Sequence, residues 1–183
     1  MPTPRNNYGS ESTVTEVTGY GVAWPAIIGG ALAMLAISLI LTPLGAGLGL
    51  AWLSSWHHTV PSVRTFTVMN VIWLLVAQWL ASGLGGYLTG RLRTKWVGAH
   101  THEVFFRDTV HGFLAWALAA VISAALLLAA TVAGGSTEGP GISATGSLLY
   151  SLSLFLGAFI ASAAGALGGR DRDVHYQTGR FEL

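Results

Sequence analysis

The chain has 183 residues, of which 52% are hydrophobic and 9% charged, with a formal net charge of +1. Soluble domains carry charge on about a quarter of their residues, so this composition belongs to an integral membrane protein. The absence of cysteine excludes disulfides, thiolate metal sites, iron–sulfur ligation and a cysteine nucleophile.

Residues 1–21 are polar and rich in Ser and Thr, with no basic stretch leading into a short apolar core. They are expected to form a mobile cytosolic tail and not a cleaved signal peptide. A membrane domain is expected over residues 22–169, followed by a short cytosolic tail over 170–183.

Span one opens at Trp24 and runs to Pro43, with an apolar extension to residue 53. A straight helix over that whole stretch would be about 46 Å long at 1.5 Å per residue, more than a bilayer needs. Pro43 removes a backbone donor, so a break is expected there. Residues 44–53 would then lie at the interface or fold back, the alternative being one long, tilted, kinked span. Span two covers about 65–90, span three 109–132 and span four 147–169. Each holds about 20 apolar or small residues, the length that crosses about 30 Å of hydrocarbon as a helix. Backbone groups in lipid must be paired within their own segment, and no strand alternation is present, so the expected fold is an all-α four-transmembrane-helix bundle.

Eight of the nine basic residues fall on one side if both termini share it: Arg5, then Arg91, Arg93, Lys95 and Arg107, then Arg170, Arg172 and Arg180. Excess Lys and Arg marks the cytoplasmic face, which sets both termini in the cytoplasm. Trp24, Tyr87 and Trp96 then fall near the inner boundary, and Trp52, Trp56 and Tyr150 near the outer one, as an aromatic belt requires.

The end of span two, "GGYLTGRLR", echoes the end of span four, "AGALGGRDR". Gly86, Gly90, Arg91 and Arg93 match Gly165, Gly169, Arg170 and Arg172 at one offset. "VAWPAI" likewise echoes "LAWALA" at the starts of spans one and three. The bundle therefore reads as a duplicated two-helix hairpin, its halves in the same orientation. Hydrophobicity does not draw membrane helices together, but small residues four apart let backbones touch. Ser82, Gly86 and Gly90 in span two, and Gly157, Ala161, Gly165 and Gly169 in span four, have that spacing. These faces are expected to meet protein and not lipid. Crossing there would crowd the basic cluster Arg91, Arg93, Lys95, Arg170 and Arg172, with Asp108, Asp171 and Asp173 available to offset it.

No Asp, Glu, Lys or Arg lies inside an expected span, which argues against a proton-coupled pump. Asn70, Gln78 and Ser82 are the neutral polar candidates of span two; they serve either interhelical hydrogen bonds or a polar path. His111 follows Asp108 by three residues, so the two share a helix face and form a candidate interfacial hydrogen bond, with Asp108 or Thr109 capping the helix. "HTHE" at 100–103 offers imidazole and carboxylate, but nothing fixes a ligand geometry, and His111 has no partner histidine at its depth for haem. No metal or cofactor is expected, and no nucleic-acid partner. "GLGGYLTG" leads out of a helix and not into one, so it is no dinucleotide loop; no nucleophile elbow is present. The inner-side basic residues suit anionic lipid headgroups.

"AWPAIIGGALAMLAISLILTPLGAGLGL", "GGYLTGRL" and "HGFLAWALAAVI" resemble a group of bacterial multi-pass inner-membrane proteins labelled "PhnA-like membrane protein". The resemblance runs over about residues 22–132 and implies a bacterial inner membrane and a helical fold. It implies no reaction and no functional residues. The chain is expected to be a non-enzymatic structural or accessory unit of the bilayer, a homo-oligomer or part of a larger membrane complex. The alternative is a small transporter or channel with a neutral path near Gln78.

Overall fold

The structure is a computed structural model described over residues 22–54, 62–93, 101–134 and 144–178. The tail 1–21, Lys95 and the C-terminal 179–183 lie outside the described residues, as do Trp56, Trp96 and His100. Four helices follow in order: α1 (Trp24–Ser54), α2 (Val63–Leu92), α3 (Thr101–Ala133) and α4 (Ala144–Thr178). Among the described residues there is no strand.

Each helix contains a stretch of 29 to 31 residues long and apolar enough to cross a membrane. At 1.5 Å per residue such a stretch is about 44 Å long, so its ends reach past about 30 Å of hydrocarbon into the headgroup layers. Helix is dictated by solvent: a backbone in lipid finds hydrogen-bond partners only along its own helix. Ser62 caps α2, its hydroxyl accepting from the Thr65 amide at 3.3 Å. Arg93 ends α2 by turning extended, at φ −72° and ψ 137°.

The helices are longer than the apolar runs that announced them. α1 does not break at Pro43: residues 44–53 continue span one. Proline withdraws one N–H from the turn before it, and side chains gather around that turn. Trp73 of α2 donates its indole N–H to the Leu41 carbonyl at 2.9 Å. The indole lies over Gly45, where any Cβ would strike it. Ser38 donates to the Met34 carbonyl and Thr42 to the Ser38 carbonyl, at 2.9 and 2.8 Å.

α3 begins at Thr101 and not at Thr109. Asp108 and Thr109 are therefore interior residues of a helix and cap nothing. Its first two turns, "THEVFFRD", mix charge with aromatics, so hydropathy hides them. α4 continues past Gly169 to Thr178, which makes Arg170, Asp171, Arg172 and Asp173 helical.

α1 packs on α2 and α3, α4 packs on α2 and α3, and α2 touches α3. Among the described residues α1 and α4 do not meet. The cross-section is a rhombus with α2 and α3 on its short diagonal. Both hairpins pack internally, yet the α2–α3 contact has no counterpart between α4 and α1, so any repeat is approximate.

The buried residues are unevenly placed. α1 buries Ala26, Ile27, Ala31 and Met34, and α3 buries Asp108, His111, Ala115 and Ala119. Beyond Met34 and Ala119 neither helix has another buried residue among those described. Packing is concentrated where α1 and α3 begin and α2 and α4 finish, here called the basic end. Toward the far end Leu39, Leu126, Leu128, Leu148 and Phe155 are exposed. Trp24 near one end, and Trp52 and Tyr150 near the other, are also exposed.

Candidate functional site

The small-residue faces of α2 and α4 lie against each other. Ser82, Gly86, Gly90, Gly157, Ala161, Gly165 and Gly169 are all buried. A Cβ on Gly86 would run into the Ala161 backbone; one on Gly90 would strike the Gly165 carbonyl and lie 2.7 Å from the Gly169 nitrogen. α3 enters the same crossing: a Cβ on Gly165 would meet the Asp108 carbonyl at 2.7 Å and the Gly112 Cα at 3.0 Å. Three backbones thus converge at a separation that only glycine allows. Gly112 was not singled out from the sequence. Its signal was the run Gly112, Ala115, Ala119 at helical spacing, masked by the many alanines around it.

This close approach makes room for charge. Asp108 projects from α3 onto Gly169, where a Cβ would overlap its carboxylate. Arg93 Nε lies 3.0 Å from Asp108 Oδ1, and Arg172 Nη2 lies 3.5 Å from Oδ2. One carboxylate therefore sits between two guanidiniums, and all three side chains are buried, Arg93 completely. Arg172 Nη1 also donates to the carbonyls of Gly90 and Arg93 at 3.0 Å each, which ties α4 to the frayed end of α2. Its Nε donates to Asp173 at 3.1 Å. Burying charge is costly unless it is paired; here the pairing depends on glycines that let Asp108 reach both arginines.

Arg91 and Arg170, from the same sequence-predicted basic cluster, stay exposed at the rim. Arg91 lies over the Tyr87 ring, 5.9 Å from its centroid, and Tyr87 donates its hydroxyl to Asp171 at 3.0 Å. Arg107 pairs with Glu103 one turn away. Sequence repetition made the four arginines look equivalent, but a four-residue packing face admits only those that point along it.

His111 does not bond to Asp108, contrary to the expectation from their spacing. Its Nδ1 lies 2.6 Å from the Arg107 carbonyl, and its Nε2 accepts from the Ala23 amide at 2.8 Å. Only a neutral imidazole with its proton on Nδ1 satisfies both. The Ala23 N–H is one of the unpaired donors at the start of α1, so the imidazole joins the start of one span to the second turn-pair of another. Asp108 points from an adjacent position of α3 to the other side, toward α2 and α4.

Near mid-depth, Ser153 of α4 donates to Gln78 Oε1 at 3.1 Å. Gly157 lies beside this pair: a Cβ there would come 3.2 Å from Gln78 Nε2, 3.2 Å from Ser82 Oγ and 3.0 Å from Trp116 Nε1. Gln78 thus makes a hydrogen bond between α2 and α4. Asn70 is exposed, nearer the far end, and is not part of this group. Ser153 escaped notice because serine is frequent in span four. Among the described residues no group of three His, Asp or Glu is placed to hold a metal ion. No protein-family model, curated protein or solved structure matches the chain.

Proposed function

We propose that this chain is a non-enzymatic multi-pass protein of the bacterial inner membrane, with both termini in the cytoplasm. It acts as a structural or accessory unit that assembles with a second copy or a larger membrane complex. The inner-membrane setting and orientation rest on the positive-inside distribution of arginine and on the resemblance to the PhnA-like membrane proteins.

One observation carries the assembly reading: the chain uses its small-residue faces internally and leaves its far-end surfaces open. Only 22% of the apolar window is buried in α1, α2 and α4, and 11% in α3. In this reading a partner meets the apolar far halves, foremost that of α3, and not the glycine faces named from the sequence. Packing and lipid entropy, not hydrophobicity, would hold such a contact. Transport is the weaker reading. A path past Gln78 toward the basic end would have to cross the backbone contacts of Gly86, Gly90 and Gly165, where not even a Cβ fits.

The chain lacks cysteine, so a single introduced thiol reports cleanly. Leu126→Cys and Leu128→Cys, on the exposed part of α3, are expected, once labelled with a thiol-reactive photo-cross-linker, to give cross-links in native membranes to a second copy or to one discrete partner. Monomer alone at both positions would overturn the assembly reading. In liposomes the wild type and Gln78→Leu are both expected to be flux-inactive; flux abolished by Gln78→Leu would establish the transporter instead.

A further inference from the structure

We propose that Arg91 and Arg170 hold the headgroup phosphates of anionic lipids at the basic end of the bundle, one at the close of each small-residue span. The proposal rests on the membrane setting and not on the assembly role above. It starts from a repeated motif whose two copies divide their arginines in the same way. Gly-Arg-x-Arg occupies residues 90–93 and 169–172. The second arginine of each copy, Arg93 or Arg172, turns inward to Asp108 and is buried. The first, Arg91 or Arg170, stays outside and is exposed.

The chain answers the inner pair and leaves the outer pair open. The carboxylates described at this end are engaged elsewhere: Glu103 with Arg107, Asp108 with Arg93 and Arg172, Asp173 with Arg172, and Asp171 with the Tyr87 hydroxyl. Among the described residues Arg91 and Arg170 have no ion pair. Arg91 lies over the Tyr87 ring, 5.9 Å from its centroid. Stacking of that kind covers one face of a guanidinium and leaves its in-plane N–H groups open.

Position selects a lipid over a soluble anion. Leu88 precedes Arg91 by three residues, and Leu167 precedes Arg170 by three, so each leucine shares its arginine's helix face. Both leucines are exposed. They lie near the close of stretches apolar enough to cross a membrane, which end at Leu92 and Val174. The leucine therefore faces acyl chains, and the guanidinium about one turn further on reaches the phosphate layer. The guanidinium fork matches two oxygens of one phosphate. A zwitterionic headgroup brings its own cation to that phosphate, so an unmatched arginine favours a lipid with net negative charge.

The test is native mass spectrometry of the full chain released from vesicles of equal phosphatidylglycerol and phosphatidylcholine. The wild type is expected to retain phosphatidylglycerol preferentially. One arginine near an anionic surface contributes about fivefold in affinity. Arg91→Gln and Arg170→Gln should each lower retention by about that factor, and the double variant by about twentyfold. Arg64→Gln removes the same charge from an exposed residue at the far end and is expected to leave the preference unchanged. Three results would overturn the proposal: no preference in the wild type, a double variant that retains phosphatidylglycerol as the wild type does, or an equal loss in Arg64→Gln. If the double variant fails to fold, the single variants decide on the same terms.

Discussion

Gly90 illustrates how much one missing carbon does at the basic end. Its neighbours on the facing side are the Gly165 carbonyl and the Gly169 amide nitrogen, backbone atoms that cannot swing aside as a side-chain tip can. Gly90→Ala is expected to destabilise the fold by about 2–3 kcal/mol, the cost of overpacking a contact that cannot relax. Gly47, with nothing within 4 Å of a Cβ, is the control: Gly47→Ala should change stability by less than about 0.5 kcal/mol. Reversible unfolding in mixed micelles measures both. The difference was partly legible in the sequence. Ser82, Gly86 and Gly90 repeat every four residues, a local pattern that needs no knowledge of the partner helix, whereas Gly47 stands two residues from both Gly45 and Gly49 and faces away from them. The partners of the charges were not legible. Asp108 pairs with arginines from two other helices, and nothing local separates it from a capping residue. His111 reaches the Ala23 amide 88 positions away, a bond to the main chain that leaves no mark in residue identity.

At the scale of the element, α1 shows how a helix carries a proline without ending. Trp73 reaches across from α2 to the Leu41 carbonyl, and Gly45 leaves space for the ring. The two residues form one fitted pair, so their substitutions should not add. Gly45→Ala alone is expected to cost about 1–3 kcal/mol by forcing the indole out. In a Trp73→Ala background the same change should cost little, a coupling that a double-mutant cycle reads directly. Additive effects would mean that the indole does not occupy the space over Gly45. The expected break at Pro43 did not occur: α1 runs unbroken from Trp24 to Ser54, and the proline withdraws only the one amide that would have bonded the Leu39 carbonyl. Apolar runs mark the part of a helix that sits in hydrocarbon, so α3 and α4 extend further than their runs, through turns that carry Asp108 and Arg172.

The whole molecule is tight at one end and loose at the other. Backbone contacts, the shared carboxylate and the His111 bond all lie at the basic end, while the far halves bury little within the chain. Local opening follows contact density. In detergent, amide exchange of residues 108–119 and 157–169 is therefore expected to be the slowest, and that of 121–133 and 144–152 clearly faster. Uniform protection along α3 would contradict the gradient. The four-span architecture could be read from length and composition because lipid imposes it on any chain of this kind. The gradient could not, since it depends on which small residues find one another across helices.

The assembly of the basic end also orders events during synthesis. Arg172 and Gly165 belong to the fourth span, which leaves the ribosome after the first three, yet they supply the second guanidinium for Asp108 and the surface on which Gly90 and Gly112 rest. A nascent chain holding only three spans carries Asp108 and Arg93 without that support, and exposes the bare glycine track of α2 to lipid. Insertion of the fourth span is then the step that locks the bundle, and a chain truncated before it should be recognised as immature by membrane proteases.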